Sequence, residues 1–378
     1  MVTFGFMSTY PPTLCGLASF TASLRAALPA GTAGGVVRLV ESPAGPLPAG
    51  VVGELVADSA AGCRNAAALL NRYEVAIVQH EYGVYGGEDG DDVLRVLAML
   101  SVPAVVVLHT VLTEPTAHQR AVLNEVLAAA TAVVTMSETA RRRLVTGYEV
   151  PAGRVHVIPH GAPDSVALLP VPHRNPRWSR QRQVLTWGLL GPGKGIEWGI
   201  EAMAVLGDLR PAPRYVVAGR THPKVLARQG EHYRDFLASR AESLGVRDRV
   251  RFDSRYLDAG SLRRLVADTD VVLLPYDSRE QVTSGVLIEA VTSRTPVVAT
   301  RFPHAVELLS GGAGVLVDHQ DPVSIAAAVR LVLTDSAVAS GIAAAAGFAA
   351  RTLGWASVAR EYCRLVANLA RTPAPVVA

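Results

Sequence analysis

A chain of 378 residues is too long for one ordinary core and predicts two domains of similar size. Hydrophobic residues make up 49% of it, enough for two large cores, and 36 basic against 33 acidic residues argue against a nucleic-acid surface as its main business. Cys15, Cys63 and Cys363 lie far apart and form no C-x-x-C pair, which excludes a disulfide framework or a zinc knuckle and fits a reducing cytoplasm.

The chain begins directly in an apolar run, Val2 to Met7, without a basic segment and cleavage site, and no apolar stretch approaches the length of a membrane span. A cytoplasmic protein is expected. Arg141 to Arg143 leave peripheral membrane contact open, although a solvated helix face explains that run more simply.

From Val2 onward, short β-branched runs alternate with helical patterns. Strands are predicted at 2–7, 35–40, 75–79, 104–108, 132–136 and 154–158, with helices near 17–28, 59–72, 91–100, 116–129 and 137–146. A Pro/Arg-rich stretch, 164–183, then breaks the pattern and reads as a linker. The alternation restarts with strands near 183–188, 214–219, 249–252, 271–275, 296–300 and 314–317, and one helical segment closes the chain at about 337–370. The pattern predicts an α/β protein with two Rossmann-like, doubly wound parallel sheets facing across a cleft. Domain bounds are placed at 1–165 and 182–345, with C-terminal helices over 346–378.

Open parallel sheets bind ligands beyond the carboxyl ends of their strands. Those ends carry Ser8, His80, His109, Ser137 and His160 in the first half, and Gly188, Gly219, Tyr276 and Thr300 in the second. Each histidine alone is more often a structural hydrogen-bonder than a catalyst; three at strand ends in one domain point to a polar cleft. Gly16, at the start of the first helix, would let a substrate approach the backbone, although a plain helix-start turn fits as well.

Tyr276 to Glu307 reads as strand end, polar loop, helix and strand. Backbone N–H groups at the start of that helix have no internal partner and favour an anion. Gly285 opens close access to them, and the Thr283 and Ser284 hydroxyls can add donors. Glu289, further in, can accept from sugar or ribose hydroxyls. The plainer alternative is a capped helix with a surface Glu.

Gly188 to Gly195, with Lys194, looks like a Walker loop, but Gly195 stands where a magnesium-holding hydroxyl would be needed. What survives is a glycine turn presenting Lys194 as a point charge, suited to a diphosphate. Asp89-Gly90-Asp91 and Asp268-Thr269-Asp270 invite a metal reading; both are assigned to helix ends. His80-Glu81 lacks the second His of a helical zinc site, so no metal is expected. Arg220-Thr221-His222-Pro223 is a further loop that could line the site.

Taken in order, the Gly16 turn, Leu108-His109-Thr110, Val133 to Ser137, Val157 to Gly161, Gly188 to Gly195, Asp270 to Pro275, the Glu289 helix with Thr295 to Thr300, and Gly314 to Val317 resemble the retaining glycosyltransferases of family 4. Gly354-Trp355-Ala-Ser-Val-Ala is similar to the family's terminal helix. The resemblance implies a GT-B fold, with the C-terminus crossing back onto the first domain. It also implies metal-independent transfer of a hexosyl group from a nucleoside diphosphate sugar to a hydroxyl acceptor, with no cofactor. Lys194 and the Thr283 to Val286 segment would hold the leaving diphosphate, with Gly188 and Arg220 nearby. His109 would touch the donor sugar, Glu280 or Gln281 its hydroxyls, and Glu289 the ribose; Gly16, His80 and Glu81 would serve the acceptor. Two positions depart from the family: Gln281 stands for the first of two Glu residues eight apart, and Leu189 for the Arg of the glycine turn. A disaccharide phosphorylase of the same fold and a non-catalytic sugar or nucleotide-sugar binding protein are the alternatives.

Overall fold

The computed structural model describes residues 2–43, 45–163 and 181–371. Most of the expected linker, 164–180, lies outside them. The chain divides into two compact units, one formed by the residues up to Gly161 together with those from Trp355 onward, the other by Ala162–Gly354.

The first unit is built on seven parallel strands: β1 (Phe4–Ser8), β2 (Ala33–Val40), β3 (Val51–Val56), β4 (Val75–His80), β5 (Ala104–Leu108), β6 (Ala132–Thr135) and β7 (Val155–Val157), in the order β3-β2-β1-β4-β5-β6-β7. β1, β4, β5 and β6 are buried along their whole length, which is why they read as largely apolar runs with polar residues only at their carboxyl ends. β3 had no counterpart among the sequence predictions. It is an edge strand whose residues alternate between buried and half-buried, and its Glu54 pairs across the ladder with the buried Arg38 of β2. A half-polar strand containing Gly53 and preceded by a Pro/Gly-rich stretch carries little β signal of its own.

The second unit has six parallel strands: β8 (Gln183–Trp187), β9 (Arg214–Ala218), β10 (Val250–Asp253), β11 (Val271–Leu274), β12 (Val297–Thr300) and β13 (Val315–Val317), in the order β10-β9-β8-β11-β12-β13. Both sheets are therefore doubly wound. Strand order reverses between β1 and β4 in one and between β8 and β11 in the other, and a ligand crevice opens at the carboxyl ends of such a pair.

The single closing helix expected at 337–370 is two helices, Ser336–Ala349 and Trp355–Arg371, separated by a short 3-10 turn and Gly354. The first packs with the second unit. The other buries Trp355, Val358, Ala359, Tyr362, Leu365 and Val366, a spacing of one helical stripe, in the core around Phe4, Phe6 and Phe20 of the first unit. A break after fourteen largely alanine-containing residues is hard to see in composition, because the helical period resumes beyond it. Among the described residues no single helix is long and apolar enough to cross a membrane.

Candidate active site

In the second unit the Gly188–Gly195 turn and the β11 end are built against each other. Gly195 has φ 60° and lies so close to Pro275 that a Cβ would stand 1.8 Å from the Pro275 carbonyl oxygen, so only glycine fits. The Asp277 N–H donates to Gly193 O at 3.0 Å. These contacts place the Lys194 ammonium over the face of Tyr276, 4.2 Å from the ring centroid. Tyr276 is buried, stacked on Phe302, and its hydroxyl has no hydrogen-bond partner.

The helix Gly285–Thr292 follows. Ser284 caps it by accepting from Leu287 N at 3.2 Å, while its own N–H donates to Nδ1 of the buried His304 at 2.9 Å. The Ser284 amide is therefore spent inside the protein, and the amides of Gly285 and Val286 head the helix. The buried Thr283 hydroxyl lacks a partner and stands next to them in the chain. The Gln281 side-chain amide donates to Thr283 O at 3.0 Å, so this residue braces the turn from within. Glu289 accepts from Trp187 Nε1 at 3.3 Å, and burial raises its carboxyl above the usual range, partly offset by that hydrogen bond. Glu280 is half-buried in the same loop; Arg220 is exposed, and its carbonyl accepts from Leu190 N at 2.8 Å.

The first unit brings its histidines together. His80 and His109 end neighbouring strands, with His109 N–H donating to His80 O at 3.1 Å, and His109 Nε2 lies 2.7 Å from Gln79 Oε1. Phe20, from the helix Gly16–Ala27, makes edge contacts at 5.1 Å with His109, His160 and Trp355. Desolvation dominates their protonation: His80 is pushed down to about 4 by burial, and His109 to about 3 by burial and then by its two histidine neighbours. His80 is fully buried with neither ring nitrogen partnered. Glu81 accepts from the Thr110 hydroxyl at 2.6 Å and from Tyr82 N–H, tying the β4 and β5 loops together. At Gly16 a Cβ would meet nothing within 4 Å, so packing does not demand glycine there and the backbone is open to approach.

Neither D-x-D triplet is a built metal site. Asp270 accepts from Gln183 N and faces Arg182, a strand-start role, while Asp91 makes no side-chain cap, contrary to the expectation for a helix start. Glu88, Asp89 and His118 do bring ligand atoms within 4.8 Å of one another, but Asp89 already accepts from Gln119 and pairs with His118 at 3.1 Å.

Two family models match: "Glycosyltransferase Family 4" over residues 26–165 and "Glycosyl transferases group 1" over 173–346, one on each sheet. The chain belongs to glycosyltransferase family 4. Curated relatives include D-inositol 3-phosphate glycosyltransferases of Corynebacterium diphtheriae, 33% identical over 58% of this chain and 51% of the relative, and of Kineococcus radiotolerans, 30% identical over 62% and 56%. The chain thus spans about half the length of the curated relatives it matches. The fold is GT-B, like that of Anabaena HepE solved with UDP and glucose (TM-score 0.74, 16% identity, 97% and 100% of the two chains). A sucrose-phosphate synthase of Thermosynechococcus elongatus is similar (TM-score 0.72, 18% identity, 97% and 99%).

In this family 4 chain, Trp187, which donates to Glu289, and His304 behind Ser284 escaped sequence reasoning, and Tyr276, expected only as a strand-end residue, carries Lys194 over its ring. All three contacts link residues more than 15 apart in sequence, and the one local hint is Phe302-Pro303-His304, where Pro begins a helix directly after β12.

Proposed function

We propose that the protein is a retaining, metal-independent glycosyltransferase that moves a hexosyl group from a nucleoside diphosphate sugar to a hydroxyl acceptor. The observation that carries this reading is that Lys194, held over Tyr276, and the Gly285–Thr292 helix, headed by the Gly285 and Val286 amides, follow β8 and β11, the two strands of the switch point. The relatives named above are transferases and synthases, and HepE binds UDP and glucose, which favours this reading over a phosphorylase.

In the proposed reaction the bond from the sugar C1 to the diphosphate oxygen breaks, and the acceptor oxygen bonds C1 on the same face. The acceptor proton passes to the departing diphosphate. Lys194, the Gly285 and Val286 amides and the Thr283 hydroxyl supply charge and donors to that leaving group, with no enzyme nucleophile. Glu289 accepts from donor hydroxyls, and Glu280 and Gln281 shape the loop before it. On the first unit, His109, neutral at physiological pH, is assigned to sugar contact and Gly16 and Glu81 to the acceptor side, whereas His80, expected there too, is fully buried and is assigned to packing.

Thermal unfolding against UDP, GDP, ADP and inorganic phosphate tests the proposal. A ligand at a hundred times its dissociation constant adds about 2.7 kcal/mol to the native state. One nucleoside diphosphate standing out is expected and names the donor base. A response to inorganic phosphate alone would move the reading to a phosphorylase, and a silent panel would refute a diphosphate site.

A further inference from the structure

One partly buried cation of the second unit has no part in the reaction above. Arg234 lies in the helix His232–Ser243 with its side chain only 15% exposed. Its Nη2 donates to Gly219 O at 2.8 Å, and its Nε reaches Glu231 Oε2 at 3.4 Å, an oxygen that also accepts the Thr221 hydroxyl. The remaining nitrogen, Nη1, is buried and has no acceptor among the described residues. A guanidinium has five N–H donors and cannot shed its proton, so an unfilled buried end calls for an acceptor.

The place of that unfilled end is informative. Gly219 follows β9 at the carboxyl edge of the sheet, and its backbone lies against Gly188 so closely that a Cβ would stand 1.9 Å from Gly188 O. The Gly188 and Leu190 amides donate to Ala218 O and Arg220 O, which stitches the Lys194 turn to the loop that Arg234 supports. The guanidinium therefore sits at the root of the turn carrying Lys194, where the side chain of Leu189 offers no donor. Nη1 is enclosed, and the adjoining turn carries glycines at 188, 191, 193 and 195.

We infer that Arg234 is a second cation of the donor site and that, on a shift of the glycine-rich turn when the nucleoside diphosphate binds, its Nη1 hydrogen-bonds a phosphate oxygen. Glu231 and the Gly219 carbonyl hold the guanidinium in orientation. This rests on the proposed function, and it assigns the bidentate partner that Leu189 leaves missing to another helix.

Isothermal titration separates this role from that of a strut. Whichever of UDP, GDP and ADP binds the wild-type chain tightest is titrated, with its nucleoside measured by competition, into wild type, Arg234→Gln and Arg234→Lys. Arg234→Gln is expected to weaken the diphosphate about ten- to a hundredfold and to leave the nucleoside within about twofold. Arg234→Lys, which keeps the charge, should recover part of the loss. Equal weakening of both ligands, or none, would assign Arg234 to structure alone and overturn the inference. Should Arg234→Gln fail to fold, Arg234→Lys decides: a selective loss of at least about fivefold for the diphosphate is required. A wild-type chain that binds none of the three diphosphates refutes the proposed function itself.

Discussion

Lys194→Met removes the charge that stands over Tyr276 and keeps a stem of similar length. The ammonium is half-exposed, so an effective dielectric of about 20 applies, and one unit of leaving-group charge at about 4 Å is worth about 4 kcal/mol. That agrees with the cost of about 2.7 to 4 kcal/mol for deleting one preorganised donor, equivalent to a loss of about a hundred- to a thousandfold in kcat. Stability should barely change, because the ammonium's close contact is with the Tyr276 ring face at 4.2 Å, worth about 0.5 to 1 kcal/mol at a partly exposed site. The assay is release of nucleoside diphosphate from the donor identified by thermal shift, run beside denaturant unfolding. Turnover within about threefold of wild type, with the fold intact, would refute the assignment of Lys194 to the leaving diphosphate.

Three more outcomes are expected. His80, neutral and buried with a value near 4 against an ordinary 6.5, favours the folded state fully above pH 6.5 and loses that contribution as pH falls toward 4, by about 2 to 3 kcal/mol between pH 7 and 4.5. Denaturant unfolding of His80→Leu should therefore show a shallower acid decline than wild type; equal slopes would count against a buried neutral imidazole. Gly219→Ala, at φ 135° with its Cβ against Gly188 O, should cost about 2 to 4 kcal/mol, whereas Gly16→Ala, with open space around it, should change stability by less than about 1 kcal/mol. A melting curve for Gly219→Ala that matches wild type would contradict the packing of the two turns. Transferase activity should survive exhaustive chelation, and loss of activity restored by a divalent cation would end the metal-independent reading.

Fully buried strands were legible because burial on both faces makes them largely apolar, β-branched runs with polar residues only at their ends. β4 to β6 and β11 to β12 are of this kind, and their predicted bounds lie within one residue of those found. The half-buried edge strand β3 was not, since its pairing with β2 is decided by the ladder and by the Arg38–Glu54 pair rather than by its own residues. Likewise Gly354 separates two helices whose periodicities look continuous, and only packing on different units distinguishes Ser336–Ala349 from Trp355–Arg371.

The sequence by itself determined the two doubly wound sheets, the strand ends where chemistry can occur and the glycine turn bearing Lys194, because hydrophobic period and turn residues act locally. Tertiary structure decided what each polar group does. Ser284 gives its amide to His304, Gln281 braces Thr283, and Glu81 ties Thr110, while Tyr276 lies under Lys194 and Arg234 is held beside Gly219. Hydrogen bonds and desolvation depend on neighbours brought in from distant parts of the chain, and those neighbours exist only once the strands have paired.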